Sequence, residues 1–222
     1  MKSKICGIPN LETVKRVLAL RPDAIGIYCW TNPVKGRNFT DRETARKIAD
    51  LAAQSSVDSF YLMYEDDPIT AKKAYEDCLY IGNTHIQIVG DMSVHEIVKL
   101  KGMLPSLQII KRVGVTELQS LEEAQLYAAC EAVDQLLLDS SAGTVARGGT
   151  GRTHDWNISR QIVEKCSKPV WLAGGIRLQN VEQAMQTVQP YGIDVETGVQ
   201  FADGSKDYPA IEEFVATVRS FT

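Results

Sequence analysis

The chain lacks any apolar run of the roughly 18 residues that a bilayer-spanning helix needs. Its first residues also lack the apolar core of a secretory signal peptide. Positive charge is not in excess: 24 Lys and Arg stand against 28 Asp and Glu, a formal net charge of −4. That balance gives no electrostatic footprint for nucleic acid or an anionic membrane surface. Histidine is scarce, with only His85, His95 and His154, and no spacing among them suggests a metal cluster. The five cysteines, Cys6, Cys29, Cys78, Cys130 and Cys166, are odd in number and form no CxxC pair. They read as reduced thiols of a cytoplasmic protein, with no disulfide framework and no zinc site. No linker, low-complexity tract or composition shift divides the chain. What remains is 222 residues, 44% hydrophobic and 23% charged, enough for one domain with a sizeable core.

Short apolar runs alternate with helical patterns from end to end. The runs that read as strands are 4–6, 24–30, 59–63, 85–88, 108–113, 135–139, 170–173 and 193–197. Helix starts are marked between them. Thr40 to Glu43, Ser93 to Glu96 and Ser120 to Glu123 each fit a capping box. Asp67-Pro68 fits an N-cap followed by a first-turn proline. Residues 156–166, 180–188 and 208–221 carry apolar residues at helical spacing. Eight such units in 222 residues predict a single (β/α)8 barrel spanning 1–222, with an open doubly wound sheet as the alternative.

The chemistry of such a barrel sits at the carboxyl ends of its strands. Cys6 falls at the first of these ends, just before Gly7. A free cysteine is commonly just a small buried hydrophobe. Lys4, however, lies two residues back on the same strand face, where a cation would lower the thiol pKa. Asp139 ends the run Leu136-Leu137-Leu138. A carboxylate is costly there without a partner or a role, the plain alternative being a cap for the next loop. Together the two groups suggest a base and an acid facing one substrate. The glycine-rich loop Gly148-Gly149-Thr150-Gly151 follows Asp139. Gly174-Gly175 and Gly198 place glycines at the ends of the seventh and eighth strands, where barrels frequently cradle phosphate. Arg37, in the polar loop after the second strand, is either a solvated charge or a bidentate partner for a carboxylate.

These motifs coincide with a family. Lys4-Ile5-Cys6-Gly7-Ile8 with Asn10-Leu11-Glu12, Leu137-Leu138-Asp139 with Gly148-Gly149-Thr150-Gly151 and Asp155-Trp156, Leu172-Ala173-Gly174-Gly175-Ile176 with Asn180-Val181, and Asp194-Val195 with Gly198-Val199 and Gly204-Ser205-Lys206-Asp207 follow one another in order. Over nearly the whole chain they resemble phosphoribosylanthranilate isomerase. The resemblance implies a (β/α)8 barrel that carries out an Amadori rearrangement in tryptophan biosynthesis without a cofactor. It also implies a phosphorylated small molecule as the partner, met by a monomer or homodimer. Cys6 resembles the general base, Asp139 the general acid, and Arg37 the residue that holds the anthranilate carboxylate. Gly174, Gly175 and Gly198 resemble parts of the phosphate site, and Gly149, Asp194 and Thr197 join them as candidate substrate-binding residues.

The sequence departs from that family's pattern in several places. Gln87-Ile88-Val89-Gly90 has an apolar side chain where the family has histidine, and Lys35-Gly36-Arg37 adds a cation. Glu196-Thr197 stands where the family has paired serines, and the segment from Phe60 to Glu65 lacks the usual Gly-Val-Phe. Glu196 alternates with Asp194, so both are expected to face the site. A carboxylate there must be turned away from a phosphate or offset by a cation such as Lys35 or Lys111. Two other readings are a paralogue acting on a different phosphorylated molecule and a barrel kept only for binding. Retention of Cys6 and Asp139 argues against the second.

Overall fold

The structure, a computed structural model, describes residues 1–29, 38–64, 68–117, 119–140 and 153–221. Eight parallel strands form its frame: β1 (Lys2–Ile5), β2 (Ala24–Cys29), β4 (Asp58–Met63), β5 (His85–Ile88), β6 (Gln108–Val115), β7 (Gln135–Ser140), β8 (Val170–Leu172) and β9 (Gly192–Val195). Each is hydrogen-bonded to the next, and β1 pairs with both β9 and β2, so the ring closes. This closure is what separates the barrel from the open doubly wound sheet. A two-residue strand that periodicity does not announce, β3 (Phe39–Thr40), pairs in parallel with the end of β2.

The strand sequences explain the closure. Buried parallel strands are apolar on both faces, and alternate residues divide into two clusters here. Leu136 and Leu138 join Ile5, Ile25, Ile27 and Val113 in the layer between strands and helices. Leu137 points the other way, into a second cluster with Cys6, Phe60, Leu62, Val89, Ile110, Trp171 and Ala173 inside the barrel. Each large aliphatic side chain buried this way contributes about 1.5–3 kcal/mol. Phe60 stacks on His85 and meets Trp171 edge-on, with ring centroids 4.4 and 5.6 Å away.

Among the described residues eight helices cover the outside: α1 (Leu11–Ala19), α2 (Arg42–Gln54), α3 (Ala71–Ile81), α4 (Val94–Met103), α5 (Gln119–Ala129), α6 (Trp156–Lys165), α7 (Leu178–Val188) and α8 (Tyr208–Ser220). Their starts correct the expected caps. Asp41, not Thr40, caps α2, because its carboxylate reaches the Thr44 N–H at 2.9 Å. Thr70 caps α3, so Pro68 lies before the helix rather than in its first turn. Ser93 does cap α4, but Glu96 completes no box: its Oε2 accepts from the Ala71 N–H 2.6 Å away. Ser120 lies inside α5, where its hydroxyl donates to the Gly114 carbonyl and accepts from the Thr116 N–H.

Candidate active site

Cys6 and Glu196 each lie one residue beyond a strand, because β1 stops at Ile5 and β9 at Val195. Gly7 has a left-handed φ of 72°, which turns the chain out of the sheet. A Cβ on Gly26 of the neighbouring β2 would come within 2.5 Å of the Cys6 Sγ, so the missing side chain makes room for the thiol. Cys6, Tyr28, Tyr64, Gln87, Asp139, Asp194, Glu196 and Thr197 line one cleft at the carboxyl ends of the strands, together with Gly174 and Gly175. The predicted thiol and carboxyl group therefore line the same cleft.

Beneath the cleft, Lys4 is fully buried and donates to Asp194 Oδ2 at 2.8 Å. Its Nζ also lies 3.5 Å from Cys6 Sγ. Burial opposes the Lys4 charge, yet Asp194 and Cys6 hold its pKa above the ordinary value. Lys4 does act to lower the Cys6 pKa, as its place on the strand face suggested, but the net shift runs the other way. Burial, with the nearby charges of Asp194 and Glu196, outweighs Lys4 and pushes the thiol up to about 12. Cys6 S–H donates to the Tyr28 hydroxyl at 3.7 Å, and that hydroxyl donates to Glu196 Oε2. Glu196 Oε1 accepts from Asn38 Nδ2 at 2.6 Å. The carboxylate is thus engaged with β2 and the turn before β3.

Asp139 accepts from Arg112 Nε at 3.0 Å across the β6–β7 pair. Arg112 is a partner that sequence reasoning missed; only its place two residues after Ile110, on the inward face of β6, hinted at it. The glycines at the strand ends have packing reasons of their own. Gly174 and Gly175 have φ of 81° and 65°, and a Cβ on Gly174 would fall 2.4 Å from the Ser140 hydroxyl. A Cβ on Gly198 would sit 2.0 Å from the Ile176 carbonyl oxygen, where the two strand extensions pair.

Among the described residues, Lys111 does not supply the cation near Glu196: its Nζ donates to the Gly90 carbonyl and lies 5.3 Å from the Tyr127 ring. Lys206 takes that place: it is buried, donates to the Cys6 carbonyl, and feels Glu196, although burial lowers its pKa. Arg37, Lys35 and Gly149 lie outside the described residues. Among the described residues no cluster of His, Cys, Asp and Glu could hold a metal ion, and no helix is long and apolar enough to cross a membrane.

A closed barrel with a thiol and a carboxyl group in one cleft at its strand ends defines a class: a barrel enzyme that moves protons on a small molecule. Comparison with known proteins makes that class specific. Residues 75–217 match the family model of N-(5'-phosphoribosyl)anthranilate isomerase. The curated enzyme of that name from Haloferax volcanii is 32% identical over 217 residues, covering 98% of this chain and 92% of the relative. The crystal structure of phosphoribosyl anthranilate isomerase from Thermotoga maritima superposes with a TM-score of 0.83 at 25% identity, covering both chains completely. The enzyme from Thermococcus kodakaraensis gives 0.80 at 26% identity, covering 99% of each chain. The chain belongs to the N-(5'-phosphoribosyl)anthranilate isomerase family.

Proposed function

We propose that the protein isomerises N-(5'-phosphoribosyl)anthranilate to 1-(2-carboxyphenylamino)-1-deoxyribulose 5-phosphate, a step of tryptophan biosynthesis in the cytoplasm. The observation that carries this reading is the meeting of Cys6 and Asp139 in one cleft beside Gly174 and Gly175. In this reading Asp139 gives a proton to the furanose ring oxygen, which opens the ring to an iminium. Cys6 takes the C2′ proton, and the resulting enolamine tautomerises to the ketone. The phosphate lies against the Gly174-Gly175 and Gly198 turns, with Asp194 and Thr197 beside it. Gly149 and Arg37, both outside the described residues, are further substrate-binding residues in this reading, Arg37 for the anthranilate carboxylate. The protein works as a monomer or homodimer, states that light scattering distinguishes.

Loss of anthranilate fluorescence on adding purified protein to phosphoribosylanthranilate tests the reaction. Cys6→Ser and Asp139→Asn should each cut the rate by roughly 10²–10⁴-fold while folding normally. Near-normal turnover in either variant would remove that residue from the chemistry. Failure of the wild-type gene to support a tryptophan auxotroph lacking the isomerase would overturn the assignment.

A further inference from the structure

Taking the Cys6 role proposed above as its base, we propose that Tyr28 and Glu196 form a proton relay with Cys6, in which Glu196 is the terminal acceptor. The direction of each bond fits. The thiol donates to the Tyr28 oxygen 3.7 Å away, and Tyr28 donates onward to Glu196 Oε2. As Cys6 Sγ takes the C2′ proton, its own proton passes to the Tyr28 oxygen, and the phenolic proton passes to Glu196. The C2′–H bond breaks and Glu196 ends as a neutral carboxylic acid. No charge builds on sulfur, and the relay resets as the enolamine becomes the ketone: the proton returns from Glu196 through Tyr28 and Cys6 to C1′, while the enol proton returns to the Asp139 carboxylate. A buried thiol thereby works as a base without first ionising, which its enclosed position makes difficult.

The surroundings of Cys6 favour this route. Among the described residues, the titratable groups facing it are Lys4, Tyr28, Tyr64, Asp139, Asp194, Glu196 and Lys206. Asp194 reaches the sulfur only through the Lys4 ammonium, which donates to both and cannot accept a thiol proton. Lys206 donates to the Cys6 carbonyl, not to its sulfur. Glu196 is fixed in place to accept the proton. Asn38 binds its other oxygen at 2.6 Å, and a Cβ on Gly7 would lie 2.6 Å from that same atom. Protonation of Glu196 also removes a negative charge from the cleft while phosphorylated substrate is bound.

Tyr28 and Glu196 are positioning residues, so a pH profile tests them. In Tyr28→Phe and Glu196→Gln, kcat should fall about 10²–10⁴-fold at pH 7, with KM changed less than about threefold. The residual rate should climb about tenfold per pH unit, because Cys6 must then ionise. Glu196→Asp should recover part of the loss. A second readout needs no turnover: iodoacetamide labelling of Cys6, followed by mass spectrometry of its peptide from pH 6 to 9. Wild-type labelling should vary little with pH, and both variants should label more slowly and steeply with pH. If wild type is inactive on phosphoribosylanthranilate yet shows this labelling pattern, the substrate assignment fails and the relay stands. The relay is overturned if labelling is identical in all proteins, or if wild-type labelling itself rises tenfold per pH unit. Should Tyr28→Phe fail to fold, Glu196→Gln and the wild-type profile decide.

Discussion

At the residue scale, the partner network of an ionisable group decides what the group does. His154 illustrates this as clearly as Cys6. In the sequence it is one of three unremarkable histidines. In the structure its Nδ1 lies 3.1 Å from the Ser140 hydroxyl at the end of β7, and its Nε2 lies 2.6 Å from the Ser159 hydroxyl in α6. Burial pushes its pKa down to about 4, so the folded protein holds it neutral. Below its unfolded value of about 6.5 the unfolded chain binds a proton that the folded protein refuses. Stability is therefore complete above about pH 6.5 and falls as pH drops toward 4, by about 3 kcal/mol. Denaturant midpoints from pH 4 to 7.5 check this, and His154→Gln should flatten that part of the curve. The Ser140 contact was not marked in the sequence, because it joins the end of β7 to a residue 14 positions on, a relation that only the packing of α6 on the barrel creates. Arg112 was hidden for the same reason: its use depends on a carboxylate 27 residues away.

At the scale of elements, most of the architecture was legible. Runs such as His85–Ile88 announced themselves through hydrophobic periodicity, and the structure keeps those bounds. Strand ends were less legible, because a ladder stops where backbone partners run out rather than where apolar residues do. Hence Cys6, Glu196 and Thr197 lie beyond the strands expected to contain them. The helix caps were half legible. A Ser/Thr-x-x-Glu spacing records the possibility of a box, and Glu96 shows a tertiary partner taking the side chain meant to close it. Packing between elements adds a further expectation. Gly26 looks interchangeable with alanine, since its backbone is not left-handed, but its bare Cα is the seat of the Cys6 sulfur. Gly26→Ala should displace the thiol, destabilise the barrel by about 1–3 kcal/mol and lower kcat more than it raises KM. Thermal melts together with steady-state rates check this, and an unchanged kcat would show that the thiol's seat is not critical.

For the whole molecule, the eight repeats of strand and helix led to the closed barrel that the structure shows, although their periodicity alone left an open sheet as the alternative. Periodicity describes each strand's two faces; closure depends on the pairing of β1 with β9 as well as β2, a relation between the two ends of the chain. The proposed catalytic pair needs the same relation, since Cys6 follows the first strand and Asp139 lies on the sixth of eight. The ring also governs how the protein reaches its native state. Once shut, the ring of eight strands leaves, among the described residues, just the two-residue β3 as an edge, too short for a second molecule to add a strand. Before β1 docks onto β9, both ends of the sheet are open, and the final contact spans almost the full chain, which makes it slow. Native protein should therefore stay monodisperse as it is concentrated, while refolding yield from denaturant should fall steeply with concentration. Light scattering during refolding would register that difference, and a yield independent of concentration would mean that the last seam closes faster than open edges meet.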